Sequence, residues 1–103
     1  MIINEIKEER EIILQVEGRI DTNTSVILQG EILRALQKTN ILTLDLEKTD
    51  YVSSAGLRTF LIAYKTAEAK GGSFQLQNIS EIIFDILSKS GFLKFLKIKE
   101  AKK

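Results

Sequence analysis

The chain contains no cysteine and no histidine. Without cysteine, neither a disulfide framework nor a thiolate metal site can form. Without histidine, the commonest general base and the commonest metal ligand are missing, and so are the Ser-His and Cys-His nucleophile pairs. An enzyme made from this sequence would have to work with Asp, Glu, Lys or Tyr alone. The expectation is a protein that is not a catalyst and holds no metal or cofactor. Proline is absent too, and no linker, low-complexity tract or internal repeat divides the chain. No apolar run is long enough to span a bilayer, and no segment has the build of a signal peptide, which places the chain in the cytoplasm. An excess of one charge is also lacking. The net charge is +1, so no basic field argues for nucleic acid. Lys94, Lys97, Lys99, Lys102 and Lys103 gather at the chain end, where a solvated strand edge and tail account for them.

What remains is an ordinary small domain. The 103 residues are 44% hydrophobic and 28% charged, enough for one modest core, so residues 1–103 are read as a single domain. Met1 to Ile6 reads as a short strand and Lys7 to Arg10 as a charged turn. Glu11 to Glu17 alternates, with Ile12, Leu14 and Val16 on one face, and pairs with the first strand as a hairpin. Gly18 ends it. The segment Asp21-Thr22-Asn23-Thr24-Ser25 is dense in helix-capping types. Leu28, Ile32, Ala35 and Leu36 then recur at helical spacing. Gly30 lies inside that helix, and Val26 and Ile27 fall off its apolar stripe.

Ile41 to Leu46 has apolar residues on both parities, as a strand covered on both faces would. A helix carrying Leu57, Phe60, Leu61 and Tyr64 follows, stopped by Lys70-Gly71-Gly72 with Gly71 suited to a left-handed C′ position. Ser73 to Gln77 alternates as a strand. Ser80 caps a third helix with the stripe Ile82, Ile83, Ile86 and Leu87, Gly91 ends it, and Phe92 to Ile98 reads as a last strand. Strand–helix alternation implies parallel pairing with helical crossovers: an α/β fold with a mixed, largely parallel sheet.

The stretch of greatest interest is Asp50-Tyr51-Val52-Ser53-Ser54-Ala55-Gly56-Leu57. It leaves a strand and opens a helix. A helix start carries unpaired N–H groups and partial positive charge, a setting that suits an N-cap and also an anion such as a phosphoryl group. Ser54 reads as the N-cap, worth about 1 kcal/mol. The loop at Arg19-Ile20-Asp21 leaves the carboxyl end of another strand. Such loops share one edge of a parallel sheet, where ligands gather, so Asp21 and Ser54 are expected to be neighbours. Asp21 can serve as a cap, contact a partner or orient the Ser54 hydroxyl. Gly56 reads as a point of close backbone approach for an anion or partner. Tyr51 and Val52 complete the strand end. Arg58 lies one turn on, where it can neutralise a phosphate or be an ordinary solvated residue. The Val26–Ile27 pair beside this site hints at a partner surface.

Ordered along the chain, Gly18-Arg19-Ile20-Asp21, Ser53-Ser54-Ala55-Gly56-Leu57, Gly71-Gly72 and Ser90-Gly91-Phe92 match the elements of a known family. The chain resembles a STAS domain (sulfate transporter and anti-sigma factor antagonist), and within that family the free-standing bacterial anti-sigma factor antagonists. The match covers nearly the whole chain without large gaps. The resemblance implies a phosphorylation-controlled binding module. Unmodified, such a module docks onto an anti-sigma factor with a serine-kinase fold and frees a sigma factor; phosphorylated, it lets go, and a serine phosphatase resets it. By position, Ser54 falls on the serine that the family's kinases phosphorylate, and Asp21 on an acidic residue close to it. The partner-binding set implied is Asp21, Thr22, Ser53, Ser54, Ala55, Gly56 and Arg58. The chain departs from the pattern at Ser53, where the family often has Asp, and at Ala55, where it often has Ser or Thr. Ser53 is therefore a rival acceptor. A STAS-type scaffold without phosphoregulation, in a sensory complex or as a lipid-transport accessory, stands as the alternative. An enzyme with Ser54 as nucleophile lacks a recognisable base.

Overall fold

The computed structural model describes residues 1–99. Strands β1 (Ile2–Lys7), β2 (Glu11–Glu17), β3 (Ile41–Lys48), β4 (Ser73–Gln77) and β5 (Lys97–Lys99) alternate from β2 onward with helices α1 (Thr22–Lys38), α2 (Ser54–Ala69) and α3 (Glu81–Lys89). The strands lie in the sheet in chain order. β1 runs antiparallel to β2, and every other pair is parallel. Each crossover steps the same way along the sheet, and crossovers share one hand, so all three helices lie on one face.

β3 is covered on both faces, as expected, but by a different layer on each side. Leu42, Leu44 and Leu46 pack under the helices in one cluster with Leu28, Ile32, Phe60, Ile83 and Leu87. The other parity, Thr43 and Asp45, faces away from the helices and is buried by polar neighbours instead. The Thr43 hydroxyl donates to Glu11, and Gln75 Nε2 donates to Thr43 Oγ1 at 2.6 Å. Lys99 Nζ reaches both Glu11 oxygens at 3.3 Å. A strand can thus be buried on both sides with helices on only one, provided that its polar groups satisfy one another.

Burial alone would raise the Glu11 carboxyl. The hydrogen bonds from Thr43, Lys99 and Gln75, together with the Lys99 charge, outweigh it and hold the group below its usual value. A depressed folded-state value means stabilisation that is complete above the unfolded value and lost as pH falls through the folded one. Glu11→Gln is expected to start less stable near neutrality and to lose less stability than the wild type on acidification below about pH 4.5, read by denaturant midpoints across pH.

Two expectations are corrected at the chain's second half. Ile82 is exposed, and α3 buries only Ile83 and Leu87 fully. A helix this short presents little more than one ridge to the sheet. The run Phe92 to Ile98 is not one strand. Phe92–Lys94 makes a 3-10 turn, and only Lys97–Lys99 pairs with β4. Phe92 and Phe95 pack on each other with centroids 5.1 Å apart, and Phe95 sits 4.9 Å from Tyr64. That aromatic cluster needs neighbours three apart on one side, which a strand's alternation does not give.

Gly30 serves no close packing, since a Cβ there would meet nothing within 4 Å. Gly30→Ala is expected to stabilise the domain by about 1 kcal/mol, a rise in Tm of about 4–8 °C, measured by thermal melting.

Candidate functional site

The site is built where two loops leave the carboxyl ends of β2 and β3. Ile20 N–H donates to the Tyr51 carbonyl at 2.9 Å, and Ser53 N–H donates to the Ile20 carbonyl at 2.8 Å. Ile20 and Val52 form a parallel bridge, and both side chains are buried. This short piece of ladder prolongs the sheet beyond β2 and β3 and ties the two loops in register. Residues 19–22 and 51–54 therefore lie side by side, as expected of parallel strand ends.

Asp21 is the N-cap of α1. Its Oδ1 accepts from Asn23 N–H at 3.0 Å, Thr24 N–H at 2.9 Å and the Thr24 hydroxyl at 3.0 Å. Thr24 Oγ1 in turn accepts from Asp21 N–H at 2.8 Å, closing a reciprocal box. The Thr24 N–H and hydroxyl, with the Asn23 N–H and nearby Arg19, hold the Asp21 carboxyl below its usual value. It is a capping anion. Its hydrogen bonds run to its own helix and none runs to Ser54. A threonine closes this box where glutamate or glutamine is the usual signal, so the sequence did not reveal it.

The serine pair is the main correction. The N-cap of α2 is Ser53, not Ser54. Ser53 Oγ accepts from Gly56 N–H at 3.2 Å, and the Ser53 carbonyl accepts from Leu57 N–H at 2.9 Å. Ser54 is the first helical residue and is exposed. Its hydroxyl has no hydrogen bond among the described residues. The cap consumes one hydroxyl and leaves the next one free.

Gly56 is corrected as well. It is buried, and a Cβ there would lie 2.7 Å from Ile20 Cγ2 and 2.8 Å from Val52 Cγ1. The close approach is between α2 and the loop ladder beneath it, not toward a ligand. Of the other residues in the expected set, Thr22 and Arg58 are exposed and Ala55 is half-buried. Val26 and Ile27 stand 71% and 55% exposed on α1. α1 packs beside α2, with the Thr59 hydroxyl 3.5 Å from the Ser25 carbonyl.

One contact of the site was not legible in the sequence. The Arg19 guanidinium lies over the Tyr51 ring, 4.5 Å from its centroid, with Nε 3.7 Å from Asp21 Oδ2. It fastens the two loops from the outside, a cation–π contact worth roughly 0.5–1 kcal/mol at such an exposed place. No spacing rule joins residues so far apart in the chain.

The family model described as STAS domain matches residues 3–103. The chain belongs to the STAS domain family. It is similar to the anti-sigma-B factor antagonist of Bacillus subtilis, 25% identical over 92 residues that cover 89% of this chain and 84% of that protein. It is also similar to the anti-sigma F factor antagonist of Paenibacillus polymyxa, 26% identical over 89 residues, 84% of this chain and 76% of that one. Among solved structures, the anti-sigma factor antagonist SpoIIAA in its unphosphorylated form superposes with a TM-score of 0.83 at 16% identity, covering 99% of this chain and 90% of that one. The phosphorylated form of the Bacillus cell fate determinant SpoIIAA gives a TM-score of 0.76 at 16% identity, covering 99% and 93%. At that identity the likeness is one of fold, and the fold is the STAS fold. No helix among the described residues of this STAS domain is long and apolar enough to cross a membrane.

Proposed function

We propose that this STAS domain is an anti-sigma factor antagonist whose docking is switched by phosphorylation of Ser54. The observation that carries the reading is the division of labour in the serine pair. Ser53 caps the helix, and Ser54 presents a free, exposed hydroxyl at the first helical position. A kinase can reach that hydroxyl without breaking the cap. Ser53 Oγ is half-buried and already engaged by Gly56 N–H, so it is the less accessible of the two hydroxyls. Phosphate adds about −1.5 to −2 charges, and a helix start tolerates negative charge, so the domain keeps its fold when modified. Among its relatives are antagonists of anti-sigma factors, and a protein of the same fold exists in phosphorylated and unphosphorylated forms.

The partner is an anti-sigma factor with a serine-kinase fold, and a serine phosphatase reverses the modification. The catalytic groups belong to those partners; this domain supplies the substrate hydroxyl and the docking surface. That surface comprises Thr22, Ser54, Ala55 and Arg58 at the loop edge, Asp21 and Ser53 holding it in shape, and the exposed Val26–Ile27 pair on α1. Its action is confined to the compartment of the transcription machinery, the cytoplasm.

Incubation with the cognate kinase and ATP, followed by intact mass, is expected to show one added phosphate that disappears in Ser54→Ala and persists in Ser53→Ala. A second reading, a scaffold without phosphoregulation, draws on Ser53 standing where the family often has Asp. It predicts no added mass with any such kinase while partner binding survives.

A further inference from the structure

The geometry points to a second interface: the outer edge of β1 pairs antiparallel with the same edge of a second copy of this chain. β1 ends the sheet, and among the described residues nothing pairs with its outer side. An unpaired edge is a row of backbone donors and acceptors that fits another strand. β1 carries no proline and no bulge, and its six residues pair with β2 in unbroken register. Its charges are Glu5, already paired with Lys38 of α1 at 3.1 Å, and Lys7 at the strand's last position.

The side chains say which strand fits. Ile2 and Ile6 are 54% and 37% exposed. They stand opposite Glu17 and Ile13. Side chains alternate along a strand, so both point to the sheet face without helices, with Asn4 between them. The central strands line that face with polar groups, Gln15, Thr43, Asp45, Gln75 and Gln77. Its exposed apolar surface is thus gathered at the β1 edge.

Two copies joined here keep that face continuous only if residues of the same parity oppose each other. A register centred on Glu5 sets carboxylate against carboxylate, which is unfavourable. A register centred on Ile6 sets Glu5 against Lys7 but leaves Ile2 beyond the overlap. A register centred on Asn4 sets Ile2 against Ile6 of the second copy, twice, and Asn4 against Asn4. It overlaps Ile2 to Ile6, sets Lys7 across from Met1, and opposes no two side chains of like charge. Self-complementarity of this kind is what a twofold interface requires. The edge is short, so the dimer is a weak and concentration-dependent one.

The absence of cysteine makes the register directly testable. Directly opposed antiparallel residues have Cα atoms about 4.5–5.5 Å apart, within the reach of a disulfide. The full chain carrying Asn4→Cys, under mild oxidation at about 0.1–1 mM, is expected to cross-link at least tenfold faster than Glu5→Cys or the distant Ile82→Cys. Sedimentation of the wild-type chain over the same range is expected to show reversible dimerisation, lost in Ile2→Lys/Ile6→Lys with an unchanged circular dichroism spectrum. A wild-type chain that stays monomeric overturns the proposal. So does a dimer that survives the lysine pair, or an Asn4→Cys rate equal to the controls. Binding of Ser54 variants to an anti-sigma factor has no bearing on these outcomes, so the two proposals stand or fall separately.

Discussion

Ser54→Asp is expected to abolish docking onto the anti-sigma factor, whereas Ser54→Ala binds like the unmodified protein and cannot be switched off by kinase and ATP. The two variants should be equally well folded. Ser54 is exposed at the first position of α2 and makes no side-chain hydrogen bond among the described residues, so alanine removes nothing from the fold. Aspartate places negative charge at the positive end of the helix, which is neutral to mildly favourable. The effect on binding has another source. A partner that covers Ser54 must take the new carboxylate out of water or face it with a cation of its own. Each 1.4 kcal/mol of penalty weakens binding about tenfold, and an unpaired charge buried at an interface costs several kcal/mol. A hundredfold or greater loss in Kd is the expected scale, measured by calorimetry with melting curves as the control for folding. Equal affinities for wild type, Ser54→Asp and Ser54→Ala would remove the basis of the switch. The Asp21 carboxyl is held below its usual value, first by the Thr24 N–H and hydroxyl at its own helix start. Thr24→Ala, which removes the hydroxyl half of that capping box and leaves the backbone bonds to Asp21, is the comparison for effects transmitted through loop shape alone.

Gly72→Ala is expected to destabilise the domain by about 3 kcal/mol or more, among the larger effects available to a one-carbon change. A Cβ at Gly72 would sit 1.9 Å from the Asn40 carbonyl oxygen and 2.8 Å from its carbon. Those are backbone atoms at the start of β3, and they cannot swing aside as the end of a side chain can. The position is pinned from both directions. Gly72 N–H donates to the Ala67 carbonyl at 2.8 Å, and the next residue's N–H, on Ser73, donates to Asn40 itself at 2.8 Å. Gly71, at φ +73, bends the chain back, with its N–H on the Glu68 carbonyl at 3.0 Å. The pair therefore closes α2 and lays β4 against β3 within two residues. Chemical denaturation, with the midpoint compared to that of wild type, gives the number directly. A loss under about 1 kcal/mol would mean that the β3–β4 strand ends adjust more freely than backbone packing allows.

The two sites differ in what gives a residue its importance. Gly72 matters because of what a side chain there would strike, and its effect is on folding. Ser54 matters because its hydroxyl is exposed and unengaged among the described residues, and its effect is on what can approach.

Much of this was legible in the order of residues alone. Helical spacing in Leu28, Ile32, Ala35 and Leu36, alternation in Glu11 to Glu17, and the glycine pair at Gly71-Gly72 determined the elements, since each records a period or a turn that the backbone must obey locally. Their alternation determined the parallel sheet, and with it the meeting of the Asp21 and Ser54 loops. Only the tertiary structure decided which serine caps α2, because both are good caps and the choice falls to the Ile20–Val52 ladder that fixes where the helix can begin. It also decided that Gly56 faces inward, that Arg19 lies over Tyr51, and that the outer face of β3 is sealed by Glu11, Thr43, Gln75 and Lys99 rather than by a helix. Local periodicity sees the next few residues. These contacts join strands and loops separated by tens of residues, and their geometry exists only once the sheet has assembled.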